Sequence, residues 1–529
     1  MERTERESCT QTVELLVMVN ERYNYCLYMF KRVKRNPTLS LERISDTHFR
    51  GTLKRASTFD SPFRKSKTIF EFPIEELSVI EEATRQGIEV VHPPARIHAA
   101  FTLVDADADI DSRLYDFQRD GVQRAIALGG RCLIGDEMGC GKTIEAIAIA
   151  KHYGGRCIVI CPSYLCRGWI RECETWGMDV SHVPKGKSAI PEGNVVISYG
   201  IATKVVRQLG TFHLVICDES HYLKSHKTKR YKALRKLIKK TPHAVLLSGT
   251  PAPNAPVELY TQVSMLRPSF FGTYTDFVHR YCGAKQSPLG FVDVSGATNK
   301  QELAWLMKRV LLIRRLKRDV LTQLPPKTRT RIDVNVTHPL MSTIRKKFKR
   351  WKAINQMEET RELIFERNLI VSELFRLTSE AKYKVVKQVV ADLPKHTIVF
   401  AHHRGMLDAL EEALPNSIRI DGATPMGKRL ELQDKFQNGE VDYAVLSMMA
   451  AGTGITLTRA STVVFAELWF VPGVLLQAED RAHRIGQENA VDVRYIIAAG
   501  TLDDHVYRKI QYKIRTVDRC VDNRQDRVW

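Results

Sequence analysis

One glycine-rich stretch of the sequence carries residue types that suit the binding of a polyphosphate. Residues 135–143 read Gly-Asp-Glu-Met-Gly-Cys-Gly-Lys-Thr, after a short apolar run and before a segment with helical character. A strand, a glycine loop and a helix in this order are typical of phosphate-binding loops, in which backbone amides and a helix N-terminus face the anion. The strict pattern has a further glycine before the lysine, and this sequence has Asp136 at that position.

The predicted roles within this loop divide between the phosphates and a metal ion. Lys142 is expected to reach the β- and γ-phosphates, and the Thr143 hydroxyl is expected to hold Mg²⁺. Gln118 precedes the loop and is expected to present its side-chain amide to adenine. The predicted nucleotide contacts in this part of the chain are Gln118, Asp136, Glu137, Met138, Gly139, Cys140, Gly141, Lys142 and Thr143.

A pair of carboxylates follows a buried apolar run further along the chain. Leu214-Val-Ile-Cys is followed directly by Asp218, Glu219, Ser220 and His221. In parallel sheets, ligands bind at the carboxyl ends of the strands. Asp218 is therefore predicted to hold Mg²⁺ through water, and Glu219 to orient and deprotonate an attacking water. Taken alone, the pair has an alternative interpretation as ordinary surface residues at a strand end.

A second β/α unit has no phosphate loop of its own but carries two suitably spaced arginines. Arg481 and Arg484 are three positions apart, which would place both on one face of a helix. An arginine that enters a nucleotide site across a cleft accelerates phosphoryl transfer by about 10³–10⁵. We predict this role for both arginines, with a solvated basic face as the alternative. Gly454, in the Gly-Thr-Gly sequence at 452–454, is a further predicted nucleotide contact.

The elements that position these residues alternate between apolar strands and amphipathic helices, as in parallel α/β sheets. The predicted strands are 157–161, 195–198, 214–217, 244–247, 397–401, 418–420, 443–447 and 462–465. Segments 302–318 and 346–391 show long amphipathic patterns that interrupt this rhythm and are interpreted as helices of an insertion. A strand is predicted at 70–73 with a helix at 74–86, and a helix at 501–513.

The predicted fold class is therefore α/β, with two parallel-sheet lobes, a helical insertion and a small N-terminal accessory domain. The predicted regions are an N-terminal accessory region (1–104), an ATP-binding lobe (105–275), the helical insertion (276–385), a second lobe (386–500), and a C-terminal helix with a basic tail (501–529).

The charge balance favours a polyanionic partner. The 529 residues include 80 Lys and Arg against 60 Asp and Glu, a net charge of +20 that suits nucleic acid or a lipid surface. Nine of the cations, with no acid among them, lie between Lys224 and Lys240. Beside a nucleotide site this run favours contacts with a phosphate backbone over a solvated helix face. The basic segments 31–35 and 50–67, together with Phe49, Phe59 and Phe63, fit either interpretation. No membrane span is predicted, because no run of about 18 apolar residues occurs.

The ordered motifs resemble those of the Swi/Snf-type ATPases of helicase superfamily two. The resemblance rests on residues 136–143, 218–221, 248–251, 314–327 and 477–487, and it covers about residues 110–515. Within this family the chain resembles the HepA-related (HARP-type) annealing helicase branch, through Ser220 before His221 and through residues 400–403, 419–422 and 464–468. Residues 70–94 are faintly similar to the accessory module of that branch.

The resemblance implies a DNA-dependent ATPase with RecA-like lobes that uses ATP and Mg²⁺. Its implied partner is double-stranded or branched DNA, along which such a motor moves to rewind or remodel forks in DNA repair. The predicted DNA contacts are Lys224, Lys227, Lys229, Arg230, Ser248, Thr250, Arg315 and Thr453. The expected location is nuclear in a eukaryote and otherwise cytoplasmic or viral.

Two alternatives to this function remain at the level of the sequence. A nucleosome-remodelling ATPase would use the same motor. A non-catalytic DNA-binding scaffold is disfavoured, because Lys142, Asp218, Glu219 and Arg484 are all present.

Overall fold

A computed structural model describes residues 110–522, apart from 287–289, 291, 322, 358–359 and 450–454, together with four strands nearer the N-terminus. The chain forms two compact units, one of residues 1–102 and 299–309 and the other of residues 103–298 and 310–529. In the part of the chain that the structure describes, no helix has the length and apolar character needed to cross a bilayer.

The N-terminal strands form a mixed sheet in the order β3-β2-β1-β4. These strands are β1 (Thr38–Arg43), β2 (His48–Lys54), β3 (Ile69–Pro73) and β4 (Glu89–Val91). β1 pairs antiparallel with β2 and parallel with β4. The predicted strand at 70–73 is confirmed, whereas the predicted helix at 74–86 and the basic segment 31–35 lie outside the described residues.

The first lobe begins with a helix and continues as a series of parallel strands and helices. Its elements are α1 (Asp116–Ala127), β5 (Arg131–Ile134), α2 (Lys142–Tyr153), β6 (Cys157–Cys161), α3 (Cys166–Thr175), β7 (Ser181–Val183), β8 (Val195–Ser198), α4 (Tyr199–Val205), β9 (Leu214–Cys217), α5 (Lys229–Lys240), β10 (His243–Leu247), α6 (Val257–Leu266) and α7 (Tyr274–Tyr281). After these come β11 (Lys285–Gln286), β12 (Val292–Asp293), β13 (Leu312–Ile313) and α9 (Lys317–Val320). Between β12 and β13 the chain forms α8 (Lys300–Val310), nearly all of which belongs to the compact unit of residues 1–102 and 299–309.

The second lobe starts from an edge strand and two long helices. Its elements are β14 (Lys327–Val334), α10 (Met341–Ile354), α11 (Arg361–Ala391), β15 (Thr397–Ala401), α12 (Arg404–Ala413), β16 (Ser417–Ile420), α13 (Met426–Asn438), β17 (Tyr443–Ser447), β18 (Thr462–Phe465), α14 (Pro472–Glu479), β19 (Val491–Ala498) and α15 (Leu502–Val521).

Both lobes have a fully parallel sheet, which confirms the predicted fold class. The strand orders are β13-β5-β10-β9-β6-β8-β7 in the first lobe and β14-β19-β18-β15-β17-β16 in the second. All residues of β6 and β15 are buried, as expected of strands covered by helices on both faces. Parallel strands end at the same edge of a sheet, so the loops after β5, β9 and β10 meet in one region of the first lobe.

The helical insertion predicted for 276–385 needs correction, because it contributes a strand to each sheet. Residues 302–318 do not form one helix: α8 ends at Val310, and β13 then pairs in parallel with β5. The run Leu311–Ile313 is entirely buried, which favours the sheet edge over an amphipathic helix. β14 pairs in parallel with β19 over its full length. The predicted helix at 346–391 is two helices, of which the first ends at Ile354 and the second begins at Arg361.

Candidate active site

The phosphate loop connects β5 to α2, as its residue pattern predicts. Gly139 and Gly141 have φ angles of +86° and +85°, a region that L-residues with side chains rarely adopt. Lys142 is the first residue of α2, and its Nζ donates hydrogen bonds to the carbonyl oxygens of Asp136 (2.8 Å) and Glu137 (3.1 Å). The ammonium thus lies folded over its own loop, and phosphate oxygens would compete with these carbonyls for it.

Gln118 lies against this loop. Its Nε2 donates to the carbonyl oxygen of Cys140 (3.0 Å), and its Oε1 accepts from the backbone N–H of Tyr115 (3.1 Å). A Cβ atom added to Gly141 would stand 2.3 Å from Nε2, so the glycine is needed for this close approach. The amide therefore braces the loop, and its contact with adenine stays a prediction.

The Asp136 carboxylate belongs to a buried cluster of ion pairs. Asp136 and Glu145 are fully buried, and both pair with the Arg315 guanidinium, at 2.5 Å for Glu145. Asp136 Oδ1 also accepts the Arg315 backbone N–H (2.7 Å). The Asp136 side chain is thus engaged by the largely buried Arg315 guanidinium. The predicted contact of Asp136 with the nucleotide and the predicted contact of Arg315 with DNA stay predictions. The Asp136 carbonyl still contributes to the loop through Lys142.

The two carboxylates after β9 are close together but have different partners. Asp218 Oδ2 accepts from Trp169 Nε1 (2.8 Å), and its Oδ1 accepts from the Glu219 backbone N–H (2.8 Å). Glu219 Oε2 lies 3.2 Å from His221 Nδ1. Glu219 also has a φ angle of +49°, an uncommon conformation for a residue with a side chain. Strain of this kind is tolerated where the surrounding structure fixes a functional side chain.

These surroundings shift the pKa values of Asp218 and Glu219 in opposite directions. Burial, together with the Glu219 carboxylate, raises the pKa of Asp218 to about 6. Burial acts to raise the pKa of Glu219 as well, but the adjacent His221 ring and the Lys142 ammonium bring it below its usual value. Glu219 is therefore ionised at neutral pH, as an acceptor of a proton from water must be.

The residues around this pair fit a magnesium ion bound together with a nucleotide. Mg²⁺ in nucleotide sites is held by one or two protein oxygens plus phosphates and waters. Asp218 and the Thr143 hydroxyl would supply the protein oxygens, and the charge of Lys142 acts on both partly buried acids. Among the described residues no group of three or more His, Cys, Asp or Glu side chains could form an all-protein metal cage.

The two predicted arginine fingers lie in a turn and not on a helix. α14 ends at Glu479, and the backbone N–H groups of Arg481 and His483 then bond back to Ala478 and Glu479 as the chain turns. Arg484 lies directly over the phosphate loop, because a Cβ atom added to Gly139 would stand 2.8 Å from Arg484 Cβ. The prediction of a shared helix face was wrong. Arg484 lies close to the phosphate loop, and its role as an arginine finger stays a prediction.

Both arginines are held within the second lobe by hydrogen bonds. Arg484 donates to Thr456 Oγ1 (2.8 Å) and to the Asp480 carbonyl oxygen (3.0 Å), and Arg481 donates to the Ile455 carbonyl oxygen (3.2 Å). Burial and the neighbouring Arg481 lower the pKa of Arg484 to about 9. Because both guanidinium groups are cations largely removed from water, an anion bound between them would reduce their mutual repulsion.

The predicted DNA contacts fall into two groups by exposure. Lys227 and Lys229 are exposed, whereas Lys224 pairs with Glu258 at 2.7 Å. Arg230 lies half-buried over the Tyr199 and Tyr222 rings.

Ser248 is buried, with its Oγ accepting the Thr250 backbone N–H (3.2 Å). Ser248 therefore shapes the loop after β10. Thr453 and Gly454 lie outside the described residues.

Sequence reasoning missed the residues that orient the acids. Trp169, on α3, holds one Asp218 oxygen, and the Tyr199 hydroxyl donates to the Asp218 carbonyl oxygen (2.8 Å). Neither residue has a spacing relative to Asp218 that could have identified it.

The chain matches two protein-family models in succession. The SNF2-related domain matches residues 117–384, and the helicase conserved C-terminal domain matches residues 381–486. A Xenopus tropicalis protein, "SWI/SNF-related matrix-associated actin-dependent regulator of chromatin subfamily A-like protein 1", is 38% identical over 511 residues, covering 89% of this chain and 53% of the relative. The mouse "DNA annealing helicase and endonuclease ZRANB3" is 38% identical over 458 residues, covering 81% of this chain and 43% of the relative.

This chain therefore spans about half the length of the curated relatives it matches. Among solved structures, the Sulfolobus solfataricus SWI2/SNF2 ATPase core in complex with dsDNA aligns with 80% of this chain and 96% of that chain, at 22% identity and a TM-score of 0.39.

Proposed function

This chain belongs to the SNF2-related family of helicase-like ATPases, and from that premise we propose that it is an ATP-dependent translocase on double-stranded DNA that anneals or remodels replication forks in DNA repair. The observation that carries the proposal is the approach of Arg484 to Gly139, which joins the second lobe to a phosphate loop on the first. Family membership supports DNA-dependent ATP hydrolysis, and the name of the mouse relative supports annealing.

The proposed hydrolysis divides the work among residues of the two lobes. The backbone of the phosphate loop and Lys142 hold the nucleotide, while Asp218 and Thr143 hold Mg²⁺, which supplies charge neutralisation when bound. Glu219 orients the attacking water and accepts its proton, with His221 keeping the carboxylate ionised. Arg481 and Arg484 stabilise the charge that develops on the transferred phosphoryl group.

The same geometry supports coupling between DNA and ATP. The arginines belong to the second lobe and the phosphate loop to the first, so hydrolysis depends on how the lobes meet. DNA that contacts both lobes would favour this meeting. The animal relatives support a nuclear location, which is part of the proposal.

ATP turnover measured with single-stranded, double-stranded and forked DNA, and with nucleosomes, tests this function. We expect duplex and forked DNA to stimulate turnover, and Lys142→Ala to reduce it to below about a tenth while DNA binding persists. Lys151→Ala, a change at an exposed lysine of the same helix, is the matched control and should leave turnover unchanged. Stimulation by nucleosomes beyond their free DNA would instead favour a chromatin-remodelling ATPase, and turnover indifferent to DNA would refute the translocase.

A further inference from the structure

Lys317 is a buried lysine that contacts both the phosphate loop and the turn carrying the two arginines. Only 5% of the residue is exposed. Its backbone N–H donates to Glu137 Oε2 (2.7 Å), and its Nζ lies 2.9 Å from Asp480 Oδ1. Nζ also donates to the His483 carbonyl oxygen. One residue therefore links Glu137 of the loop to Asp480 and His483 of the other lobe.

Asp480 connects Lys317 to the two arginines. It directly precedes Arg481, and its carbonyl oxygen accepts a hydrogen bond from Arg484 Nε (3.0 Å). The arginine turn, residues 480–484, is thus fixed to Lys317 at its start and by the His483 carbonyl near its end. The Lys317 side chain also passes close to the loop, since a Cβ atom added to Gly139 would stand 3.6 Å from its Cε.

Lys327 offers a comparison, because it binds the same carboxylate from within the second lobe. Its Nζ lies 2.9 Å from Asp480 Oδ1 and 2.8 Å from Glu479 Oε2. Lys327 is the first residue of β14 in the second sheet. It can neutralise Asp480 without joining the arginine turn to Glu137, so of these two lysines Lys317 is the one that bridges the lobes.

The bridge pairs a buried lysine with a buried acid. Burial lowers the pKa of Lys317, but Asp480 opposes this effect. The two lysines hold the pKa of Asp480 far below its usual value in spite of its burial. A buried ion pair that loses one partner leaves an uncompensated charge, so the arrangement depends on both partners.

We propose that Lys317 is a positioning residue that holds the arginine turn in register with the phosphate loop. This inference rests on the proposed ATPase function. It assigns no contact between Lys317 and the nucleotide: the lysine acts through Asp480 on Arg481 and Arg484, and through Glu137 on the loop. Misplacement of a catalytic group by about 1 Å can cost about 100-fold in rate, which sets the scale of the expected effect.

Steady-state kinetics of Lys317→Met provide the first test. We expect the DNA-stimulated kcat to fall about 100-fold while the affinity for a fluorescent ATP analogue changes little, because the nucleotide contacts are untouched. Lys327→Met, the matched control, should retain most of the stimulation. Equal losses in both variants, or stimulation retained in Lys317→Met, would overturn the proposal.

Hydrogen exchange in the nucleotide-free protein gives a second readout that does not depend on activity. Lys317→Met should speed exchange in both residues 135–143 and residues 480–486, whereas Lys327→Met should affect only the second segment. Asp480→Asn weakens the same bridge from the other lobe and replaces Lys317→Met if that variant does not fold. Unchanged exchange at the phosphate loop in both bridge variants would refute the inference. A wild type without DNA-stimulated turnover would refute the proposed function, and the exchange experiment would still test the bridge.

Discussion

At the scale of single residues, Asp218 and Glu219 show how adjacent acids acquire different properties. Asp218 is surrounded by hydrogen bonds from Trp169 and the backbone, but burial still raises its pKa. Glu219 faces His221 and senses the positive charges of Lys142 and Arg481, which lower its pKa. The acid with the charged partners is the one suited to remain an anion beside a nucleotide, which supports the assignment of Glu219 as the base.

Glu219→Gln should bind ATP with near-normal affinity and hydrolyse it at least about 100-fold more slowly, because an amide cannot accept the proton of the attacking water. Single-turnover hydrolysis and nucleotide binding should be measured side by side. Glu174→Gln, a change at an exposed position near the end of α3, controls for charge loss and should hydrolyse ATP normally. Turnover in Glu219→Gln close to that of wild type would place the base elsewhere.

His483 should make stability sensitive to mild acid. Burial and the nearby charges of Lys327 and Lys317 lower its pKa to about 4, and its Nε2 lies 2.8 Å from the Pro325 carbonyl oxygen. Between pH 6.5 and 4 the unfolded chain binds a proton that the native histidine does not, so stability falls as the pH falls through this window. At pH 5 the loss is at most about 2 kcal/mol.

Urea denaturation at pH 7 and pH 5 measures this loss. His483→Gln keeps a donor for the Pro325 carbonyl and removes the titrating group, so its stability should change less between the two pH values. An equal change in wild type and variant would exclude His483 as the source.

At the scale of elements, the sequence was most informative where strands are buried on both faces. The strands at 157–161, 195–198, 214–217, 397–401, 443–447 and 462–465 were predicted with their observed bounds. Each is a short, continuous apolar run between helical segments, a pattern typical of a strand buried on both faces. The phosphate loop and the acid pair were predictable for a related reason, since each depends on residues that are neighbours in the chain.

The edges of the two sheets could not be predicted in this way. β13 has only two residues and is held by pairing with β5, far away in the sequence. β14 alternates charged and polar residues, and its Arg329 forms a buried pair with Glu479 at 2.7 Å. The roles of Arg315 and Lys317 also depend on contacts over long sequence separations, which no local spacing reports.

One of these distant contacts fixes α15 to the first lobe. Arg314 Nε lies 2.7 Å from Asp522 Oδ1, and Nη2 donates to Oδ2 (3.2 Å). The same guanidinium donates to the Gly249 carbonyl oxygen (3.3 Å) in the loop after β10. Both side chains of the pair are almost completely buried. The end of α15 is thereby tied to a loop beside the nucleotide site.

Asp522→Ala should therefore destabilise the protein by about 3–5 kcal/mol, because it leaves a buried arginine without its charge partner. The free energy of unfolding in urea measures the effect. Asp408→Ala is the contrasting control: it removes an exposed partner of Arg419 and should cost no more than about 1 kcal/mol. If both changes cost equally little, α15 is held mainly by its apolar face.

At the scale of the whole molecule, the net charge of +20 predicts salt-sensitive binding of DNA. α5 contributes an exposed basic surface, formed by Lys229, Lys232, Arg235, Lys236, Lys239 and Lys240. Each phosphate neutralised by a lysine or arginine releases counterions, so several contacts give a log–log slope of about −4 or steeper on duplex DNA. Fluorescence anisotropy over a range of salt concentrations measures this slope.

The contribution of single lysines to this slope can be separated. Lys229→Ala should make the slope shallower by about 1 if the residue contacts a phosphate. Lys395→Ala, a change at an exposed lysine on the second lobe that pairs with Asp442 (3.3 Å), is the control and should leave the slope unchanged. A flat salt response in the wild type would mean that DNA is not bound through this charge.

The coupling of the two lobes leads to the last prediction, which concerns Arg484. Its backbone lies against Gly139, while its guanidinium bonds to Thr456 and the Asp480 carbonyl within its own lobe. Burial and the neighbouring Arg481 lower its pKa, as expected where two cations lie close together. A γ-phosphate would relieve this repulsion. Arg484→Ala should therefore bind ATP nearly normally, through the first lobe, and lose about 10³-fold or more of its DNA-stimulated turnover.

The competing explanation is that Arg484 only stabilises the second lobe, and the two explanations predict different measurements. Loss of a structural arginine lowers the melting temperature but leaves the surviving protein stimulated by DNA. Loss of a finger abolishes stimulation in a protein that melts normally and still binds ATP and duplex DNA. Thermal melting and DNA-stimulated turnover should be measured on the same preparation, with Arg404→Ala as an exposed control in the same lobe. A folded Arg484→Ala protein with wild-type stimulation would remove Arg484 from the reaction.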